Sequence, residues 1–442
     1  MMGRFDNIHP ELSCEQARII LASSPDQLDS QSDFYMAAAH LINCPCKESH
    51  HSLINFLSLQ GSEQAISIAK RKAVEVLARL QVSEAVPEIG KCLWSDDVYL
   101  VENSVWALQK LCCSSPVLIE KMIALMSDDR QSTRVLIQAL TQLKVTAASA
   151  SIFPFQEDQR PGVKGAAIAA ISVLEGRQDR ISEVGDHLLL PNQMDRQCAI
   201  QDLIDAGAFG MINQIVRSPV SPVFRMRALR SLVFNAGPEI DFLGHADMIL
   251  LDNPTSLHLV HKYDDFPCIE FLVGELFSTD FSRCYLALTS LVDCNSTELW
   301  AVLEEVWRDR AWNDYGAHYF IIRLLGLRFD WPDFALQVIK SLLDETVSNL
   351  RPQFQKSRAA AIVSMSGLFP KKFLASANDL IRPVETPVWE CRYVTWLALE
   401  RLFLAGNELS MSWLDFPLSE LNETDEFVRL RAQKFQLCSK AG

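Results

Sequence analysis

Apolar residues along the first half of the chain repeat a short pattern, with a small or apolar residue at position i and further residues of this kind at i+4 and i+7. This spacing places the three side chains on one face of an α-helix. The first positions of successive patterns are separated by 31, 32, 31, 32 and 29 residues. The pattern falls on Ala73, Leu77, Leu80; Ser104, Leu108, Leu111; Leu136, Leu140, Leu143; Ala167, Ile171, Leu174; Ala199, Leu203, Ala206; Ala228 and Leu232. Because unrelated helices would not keep a constant separation, the pattern predicts structural repeats.

A second apolar helix lies between successive patterns, as at residues 85–93 and 118–126. One helical pair cannot bury its apolar face alone, so neighbouring pairs are expected to stack on a continuous core. Signals for β-strands are almost absent, because the chain has no Asn-Gly or Asp-Gly hairpin turn and no sustained alternation of β-branched residues. The sequence therefore predicts an all-α solenoid of HEAT-like, or armadillo-like, repeats.

The repeat is interrupted after Ala228, since the next clear helical face begins at Cys284, 56 residues later. The segment between them is rich in glycine and proline, which predicts an elbow near residues 236–257. N-terminal repeats are then expected over 1–245 and C-terminal repeats over 246–442, within one continuous solenoid. The later helical faces fall at Cys284, Leu288, Leu291; Ala317, Ile321, Leu324; Ala361, Met365, Leu368; Thr395, Leu399 and Leu402.

Composition and charge exclude several classes of protein. The 442 residues are 49% hydrophobic and 22% charged, which is typical of a chain with a large core. The formal charge of −14 disfavours a general binder of nucleic acid or of anionic membranes. No apolar stretch approaches the ~18 residues of a spanning helix. The start of the sequence has no signal-peptide pattern and the cysteines lack the spacing of a small secreted domain, so a reducing, cytoplasmic setting is expected.

The chain contains none of the strong local motifs of enzymes. We find no Walker loop, no G-x-G-x-x-G, no H-E-x-x-H, no G-x-S-x-G and no paired C-x-x-C. What remains is a binding surface that carries a few reactive side chains.

The segment WNDYGAHYFIIRLLG, residues 312–326, is the strongest candidate for such a surface. If Ala317 and Ile321 face the core, helical geometry places Tyr315, Tyr319 and Arg323 on the opposite, outward face. His318 then lies at the flank, four residues after Asp314, which could tune the imidazole. The alternative is that the tyrosines pack against the next repeat and that Asp314 only starts the helix.

Two histidine-containing segments raise the question of a metal site. His258 and His261 are three residues apart but lack an evident third ligand. The segment NCPCKESHH contains Cys44, Cys46, His50 and His51, but its cysteines do not have the usual spacing of zinc ligands. We therefore expect no bound metal.

Arginines recur near the starts of apolar helices. Arginines at such positions commonly pair with an acidic residue of the neighbouring repeat, so a structural role is the default expectation. An anionic ligand in the groove would instead need some of them. These residues are Arg134, Arg225, Arg227, Arg283, Arg358 and Arg392.

Ten blocks, in order along nearly the whole chain, resemble the E/F-type phycobilin lyases, and specifically the single-chain branch that acts on phycoerythrin α subunits. Ten blocks in the same order are far more specific than one motif. The blocks are RFDN (4–7), AAAHLIN (37–43), KRKAVE (70–75), VENSVWAL (101–108), CAIQDLIDA (198–206), PVSPVFRMR (219–227), LVHKYDD (259–265), TDFSRCYLA (279–287), NDYGAHY (313–319) and PQFQKSRAAA (352–361).

This resemblance implies a cyanobacterial, cytoplasmic enzyme whose substrate is phycoerythrobilin, with no permanently bound cofactor. Such an enzyme attaches the open-chain tetrapyrrole through a thioether to one cysteine of the apo-phycoerythrin α subunit. Some members also isomerise the pigment to phycourobilin, and the sequence does not decide between the two activities. Neither nucleic acid nor a membrane is expected as a partner, and homodimerisation stays open.

The chemistry of a bilin suggests which residues would act. Arginine or lysine would bind the propionates, and a carboxylate would bind the pyrrole nitrogens. Proton transfer would require tyrosine or histidine. The catalytic candidates are therefore Tyr319, His318, Tyr315 and Asp314, with Arg227, His261, Asp264, Arg283, Tyr285 and Arg323 as the candidates for pigment binding. The alternative from another class is a noncatalytic HEAT adaptor that grips a protein along its groove.

Overall fold

The computed structural model describes residues 11–30, 32–59, 61, 63–233, 241–407, 409, 413 and 416–441. The chain divides into two compact units, residues 1–181 and 182–442. Every regular element in the described residues is helical, and these residues contain no β-strand. The prediction of an all-α solenoid is confirmed.

In the first unit, alternate helices stack side by side, and shorter helices join them. The order of contacts runs from α2 to α4, α6, α8 and α10. The helices are α1 (Cys14–Ala22), α2 (Asp33–His40), α3 (Lys47–Leu57), α4 (Gln64–Arg79), α5 (Val86–Lys91), α6 (Val98–Lys110), α7 (Pro116–Leu125), α8 (Thr133–Gln142), α9 (Ser149–Ile152) and α10 (Pro161–Glu175).

The second unit begins within the next helix and continues the same plan. Contacts join α12 to α14, α14 to α15, α17 to α19, α19 to α21, and α21 to α23. Its helices are α11 (Ile181–Asp186), α12 (Gln193–Asp205), α13 (Ile212–Arg217), α14 (Pro222–Val233), α15 (Phe242–Leu251), α16 (Ile269–Glu275), α17 (Phe281–Val292), α18 (Ser296–Asp309), α19 (Tyr315–Leu327), α20 (Asp333–Ser348), α21 (Gln355–Leu368), α22 (Pro370–Leu380), α23 (Trp389–Leu404) and α24 (Glu426–Ala441).

The predicted helical faces form the core. Leu108 and Leu140 are both fully buried, as the period requires, and so are Leu288 and Leu324 in the second unit. Ser104 occupies an apolar position of the pattern because its hydroxyl donates to the carbonyl oxygen of Leu100, 2.7 Å away. A buried hydroxyl that is hydrogen-bonded within its own helix does not disturb the stack.

The predicted elbow over residues 236–257 falls in part outside the described residues. From residue 241 onward the structure contains α15 and a 3₁₀ turn, Pro254–Ser256. The Asp241 side chain caps α15 by accepting from the N–H of Gly244, which explains why a helix starts in this glycine-rich stretch. The predicted boundary between 245 and 246 stays a prediction.

No helix in the described residues has both the length and the apolar character needed to cross a lipid bilayer.

Candidate functional site

The second unit contains a buried carboxylate at the C-terminal end of α15. Asp252 follows the last residue of this helix in the left-handed conformation, with φ 43°, and its side chain is completely buried. Three side chains from three other helices donate to its two oxygens: Arg225, Tyr285 and Tyr319. A buried charge is tolerated only when it is paired and hydrogen-bonded in this way.

Arg225, on α14, supplies the positive charge of this cluster. Its Nη2 atom lies 2.5 Å from Asp252 Oδ1 and 2.9 Å from the hydroxyl oxygen of Tyr285. Its Nη1 and Nε atoms donate to the carbonyl oxygens of Val216 and Val220 at 3.1 and 3.2 Å. The guanidinium is therefore satisfied on all sides although none of it is exposed.

Tyr285 on α17 and Tyr319 on α19 close the cluster. The Tyr285 hydroxyl donates to Asp252 Oδ2 at 2.7 Å, and the Tyr319 hydroxyl donates to the same oxygen. Burial, and then the neighbouring Asp252 charge, raise the pKa of both phenols well above their ordinary value. Both hydroxyls therefore remain protonated and act as donors at neutral pH.

Arg323, one turn after Tyr319 on α19, binds the backbone of the same segment. Its Nη2 atom donates to the carbonyl oxygen of Leu251, with a second contact of 3.5 Å to the carbonyl oxygen of Asp252. These are C-terminal carbonyl groups of α15, which favour a cation. Four helices, α14, α15, α17 and α19, thus meet around one aspartate.

An apolar pocket with about 560 Å³ of empty space, including its open mouth, adjoins this cluster. Tyr319 belongs to both, because it is also one of the residues that line the pocket. Most of the wall is aliphatic, with polar groups from Lys356, Gln355 and Glu390. The remaining lining residues are Pro222, Val223, Met226, Ile249, Leu250, Ala359 and Ala360. A mainly apolar pocket with few polar groups is typical of a small-molecule site.

Lys356, at the start of α21, is the cationic group of the pocket. Its ammonium lies 4.8 Å from the ring centre of Phe281 and 5.1 Å from that of Tyr319. In the described part of the chain it makes no hydrogen bond and no ion pair. Burial lowers its pKa to about 8. The pocket therefore presents a positive charge that lacks an anionic partner.

Glu390, the first acidic residue of α23, is half-buried on the same wall. Burial raises the pKa of this carboxyl. The pocket consequently offers both a cation and a carboxyl group with reduced acidity.

The structure brings three of the predicted site residues together, Tyr285, Tyr319 and Arg323, all around Asp252. The expectation that Tyr319 and Arg323 face outward is wrong, since they are 2% and 3% exposed. The reason is that α19 is covered by both α17 and α21, so its polar side packs against neighbouring helices as well.

Tyr315 and Asp314 lie at the beginning of α19. Tyr315 is half exposed, as expected of an outward residue, and its ring meets Phe354 edge-on at 5.4 Å. The Asp314 carboxylate accepts from the backbone N–H groups of Gly316 and Ala317. Asp314 therefore caps the helix, as the structural interpretation expected, and its catalytic role stays a prediction.

His318 is enclosed rather than exposed at a flank. Its ring lies between Trp307 and Phe354, with centroid distances of 4.9 and 4.7 Å, and only 4% of the residue is exposed. Burial, and then the charge of Lys356, lower its pKa to about 4. The imidazole is therefore neutral at pH 7, and it does not belong to the pocket wall.

The other predicted pigment-binding residues have partners of their own. His261 Nε2 lies 3.0 Å from Asp280 Oδ2, and Arg283 forms a two-pronged ion pair with Glu275 at 2.8 and 3.0 Å. Arg227 is exposed and donates to the side chain of Gln201. Asp264 is exposed in the loop that precedes α16.

Sequence reasoning missed Asp252 and Lys356 as members of a site. It placed Arg225 among the arginines that pair with an acidic residue of a neighbouring repeat, which its ion pair with Asp252 confirms. Arg392 pairs in the same way with Glu423, at 2.6 Å. One signal in the sequence could have revealed Asp252. It is a single acidic residue directly after an apolar helix, in a chain with arginines at helix starts that are expected to pair with acidic residues.

The cysteines and histidines of residues 44–51 do not come together as one group of zinc ligands. Cys44 lies beside Cys14 and His40, and the two cysteines form a disulfide. His50 lies 4.0 Å from the exposed Glu84. Among the described residues, neither His258 nor His261 belongs to a group of three ligand side chains.

Comparison with known proteins places the chain in a family. It is 46% identical over 415 residues to a bilin biosynthesis protein, CpeY, of Synechococcus sp. (strain WH8020), which covers 93% of this chain and 98% of that protein. It is 34% identical over 396 residues to an uncharacterized phycocyanin operon protein Y of Pseudanabaena tenuis (strain PCC 7409), which covers 88% of this chain and 92% of that protein. No family model matches the chain.

Among solved structures, the complex of CpcE and CpcF of phycocyanin lyase from Nostoc sp. PCC7120 is 22% identical to this chain. The match covers 56% of this chain and 98% of that one, with a TM-score of 0.47. The extent and level of identity to the Synechococcus protein decide the assignment, because they span almost the full length of both chains. The chain belongs to the E/F-type phycobilin lyase family.

Proposed function

We propose that this protein binds phycoerythrobilin and attaches it through a thioether to a cysteine of the phycoerythrin α subunit. The observation that carries the proposal is the 46% identity over 93% of the chain to a protein of bilin biosynthesis. The choice of pigment and of subunit rests on the ten sequence blocks that resemble the branch acting on phycoerythrin.

The pocket beside Asp252 is the proposed binding site for the pigment. An open-chain tetrapyrrole is long and mainly apolar, and it carries two propionates. The aliphatic wall suits the pyrrole rings, and the unpaired ammonium of Lys356 suits one propionate. Because Lys356 is half-buried, an ion pair there would be screened less than one at the surface.

The proposed reaction needs positioning and proton transfer but no oxidant. The acceptor thiol adds to the ethylidene group of the pigment: a sulfur–carbon bond forms, the carbon–carbon double bond is consumed, and the thiol proton ends on carbon. Protonation of the bilin makes it a better electrophile. Glu390 is the proposed proton donor, because a carboxyl with a raised pKa retains its proton at higher pH than an ordinary one.

Isomerisation to phycourobilin is a second step, which we assign to α19. It requires one proton to leave a carbon atom and another to be delivered elsewhere on the pigment. Tyr319 is the proposed proton donor of this step, because it lines the pocket and its hydroxyl stays protonated beside Asp252. The roles predicted for His318, Tyr315 and Asp314 stay predictions.

Co-expression with the phycoerythrin α subunit and enzymes that make phycoerythrobilin tests the function. A lyase gives a coloured subunit whose pigment stays attached in denaturant, and a lyase-isomerase gives a blue-shifted product. A colourless subunit that nevertheless co-purifies with this chain would support the noncatalytic adaptor instead. Phycocyanin subunits supplied in parallel measure the choice of partner, and preferential attachment to them would overturn the proposed subunit.

A further inference from the structure

A cluster of cysteine and histidine side chains, which are common metal ligands, lies in the first unit. The proposed pigment site lies in the second unit. The sulfur atoms of Cys14 and Cys44 and one ring nitrogen of His40 lie within 4.8 Å of one another. The two cysteines form a disulfide, with their Cα atoms 5.9 Å apart. His40 and Cys44 are 4% and 5% exposed and Cys14 is half-buried, so the cluster lies at the edge of the core around α1 and α2.

The helix ends around this cluster favour a thiolate and a cation. Cys14 is the first residue of α1, where the backbone N–H groups stabilise negative charge. His40 is the last residue of α2, and Cys44 follows the 3₁₀ turn that continues from it. The C-terminal carbonyl groups of a helix stabilise positive charge. The thiolate and the metal ion would thus each lie at the favourable end of a helix.

The remaining cysteines indicate which redox state applies in the cell. The sequence contains 12 cysteines, and the exposed Cys112 and Cys268 are free thiols. Exposed free thiols are typical of proteins kept in a reducing compartment, where disulfides are rare. There a low-molecular-weight thiol would reduce the Cys14–Cys44 bond, forming two protein thiols while two molecules of the reductant become a disulfide.

We propose that the reduced pair, together with His40, binds one zinc ion. Both thiols lose their protons on binding, and the two thiolates and the imidazole supply three ligands of a tetrahedral ion, with water as the fourth. Soft sulfur ligands with imidazole select zinc over magnesium or calcium. The disulfide and the ion exclude one another, because both use the same two sulfur atoms. The site is therefore controlled by redox state.

Cobalt(II) is the probe for this site, since it replaces zinc and its thiolate complexes are coloured. The full chain is reduced, desalted without oxygen and titrated with Co²⁺. We expect one equivalent to bind with sulfur-to-cobalt charge-transfer bands, and one equivalent of Zn²⁺ to remove them. Cys14→Ser and Cys44→Ser should each abolish these bands, His40→Gln should weaken binding at least tenfold, and Cys268→Ser should change nothing.

A second measurement does not depend on the folding of variants. In the reduced wild-type chain, Zn²⁺ should slow the alkylation of Cys14 and Cys44 by iodoacetamide, measured by peptide mass spectrometry, and leave Cys112 unaffected. Reduced protein without charge-transfer bands overturns the proposal, as does equal binding by the oxidised chain. Unprotected Cys14 and Cys44 in the presence of bound zinc would also overturn it. None of these readouts depends on pigment attachment.

Discussion

The hydroxyl group of Tyr285 donates a hydrogen bond of 2.7 Å to the carboxylate of Asp252, 33 residues earlier in the chain. Neither side chain has any exposed surface. The contact joins α17 to the end of α15, and Arg225 touches both partners. A polar centre of this kind fixes how neighbouring repeats are oriented, because each buried donor must reach its acceptor within a narrow range of distance and angle.

Replacing Asp252 by Asn should destabilise the second unit strongly. The change leaves the guanidinium of Arg225 buried without a counter-charge, and loss of one partner of a buried pair costs about 3–5 kcal/mol. Urea unfolding measures the loss, and Asp264→Asn in an exposed loop is the matched control. The double variant Arg225→Met with Asp252→Leu should recover part of the loss. A single variant within about 0.5 kcal/mol of wild type would contradict the role of this pair.

Tyr319→Phe and Tyr285→Phe separate a structural from a catalytic role. Each removes one hydrogen bond to Asp252, so both should lower the free energy of unfolding by about 1–2 kcal/mol. Only Tyr319 lines the pocket. We therefore expect Tyr319→Phe alone to slow pigment attachment, or to change the isomer formed, in assays with the apo-subunit. Equal rates in the two variants would leave Tyr319 with a structural role only.

His318 should make the stability of the protein depend on pH. Its pKa falls from 6.5 to about 4 on folding, so the unfolded chain takes up a proton first as the pH decreases. The stability is complete above about pH 6.5 and declines towards pH 4, with a loss of about 1.4 kcal/mol at pH 5.5. His318→Gln removes this titration. Urea unfolding at pH 7.5 and 5.5 should therefore show a smaller pH effect in the variant, and an unchanged difference would refute the prediction.

Lys356 should make pigment binding weaken at alkaline pH. Its pKa is about 8 in the free protein, so the fraction carrying a positive charge falls about tenfold between pH 7 and pH 9. Affinity for phycoerythrobilin, measured by absorbance titration, should fall by about the same factor. Lys356→Met should bind weakly at both pH values, and Lys356→Arg should retain affinity at pH 9. Lys262→Met, in an exposed loop, is the control. If the affinity of Lys356→Met still falls between pH 7 and pH 9, the pH dependence comes from the pigment and the prediction for Lys356 is wrong.

Gly326 permits the close approach of α19 and α21. A Cβ atom placed there would lie 2.8 Å from the Cα atom of Ser364, whose hydroxyl donates to the carbonyl oxygen of Ile322 at 3.0 Å. Gly326→Ala should destabilise the protein by about 1–3 kcal/mol, because two backbones would have to separate. Gly274→Ala is the matched control, since no atom lies within 4 Å of its added Cβ. In that helix alanine should stabilise by up to about 1 kcal/mol. Thermal unfolding that ranks the two variants in the opposite order would contradict this packing.

The repeats, the helical class and the buried helical faces could all be predicted from the sequence. Leu108 and Leu140 could be placed in the core because the burial of a helical face follows from local spacing, which the printed sequence displays. The family likewise followed from ordered blocks of residues. The expected pairing with an acidic residue holds for Arg225 and Arg392. It does not hold for Arg358, which donates to the carbonyl oxygen of Val347 instead.

Which polar residues contact one another could not be predicted from the sequence. Asp252 is separated from its donors Arg225, Tyr285 and Tyr319 by 27, 33 and 67 residues, and one repeat length does not relate all three. The sequence also predicts that the polar face of α19 is exposed. Hydrophobic periodicity identifies the apolar face of a helix, but it does not show which helices cover the polar face. Polar side chains become buried where partners from several repeats satisfy them together, and that condition depends on packing in three dimensions.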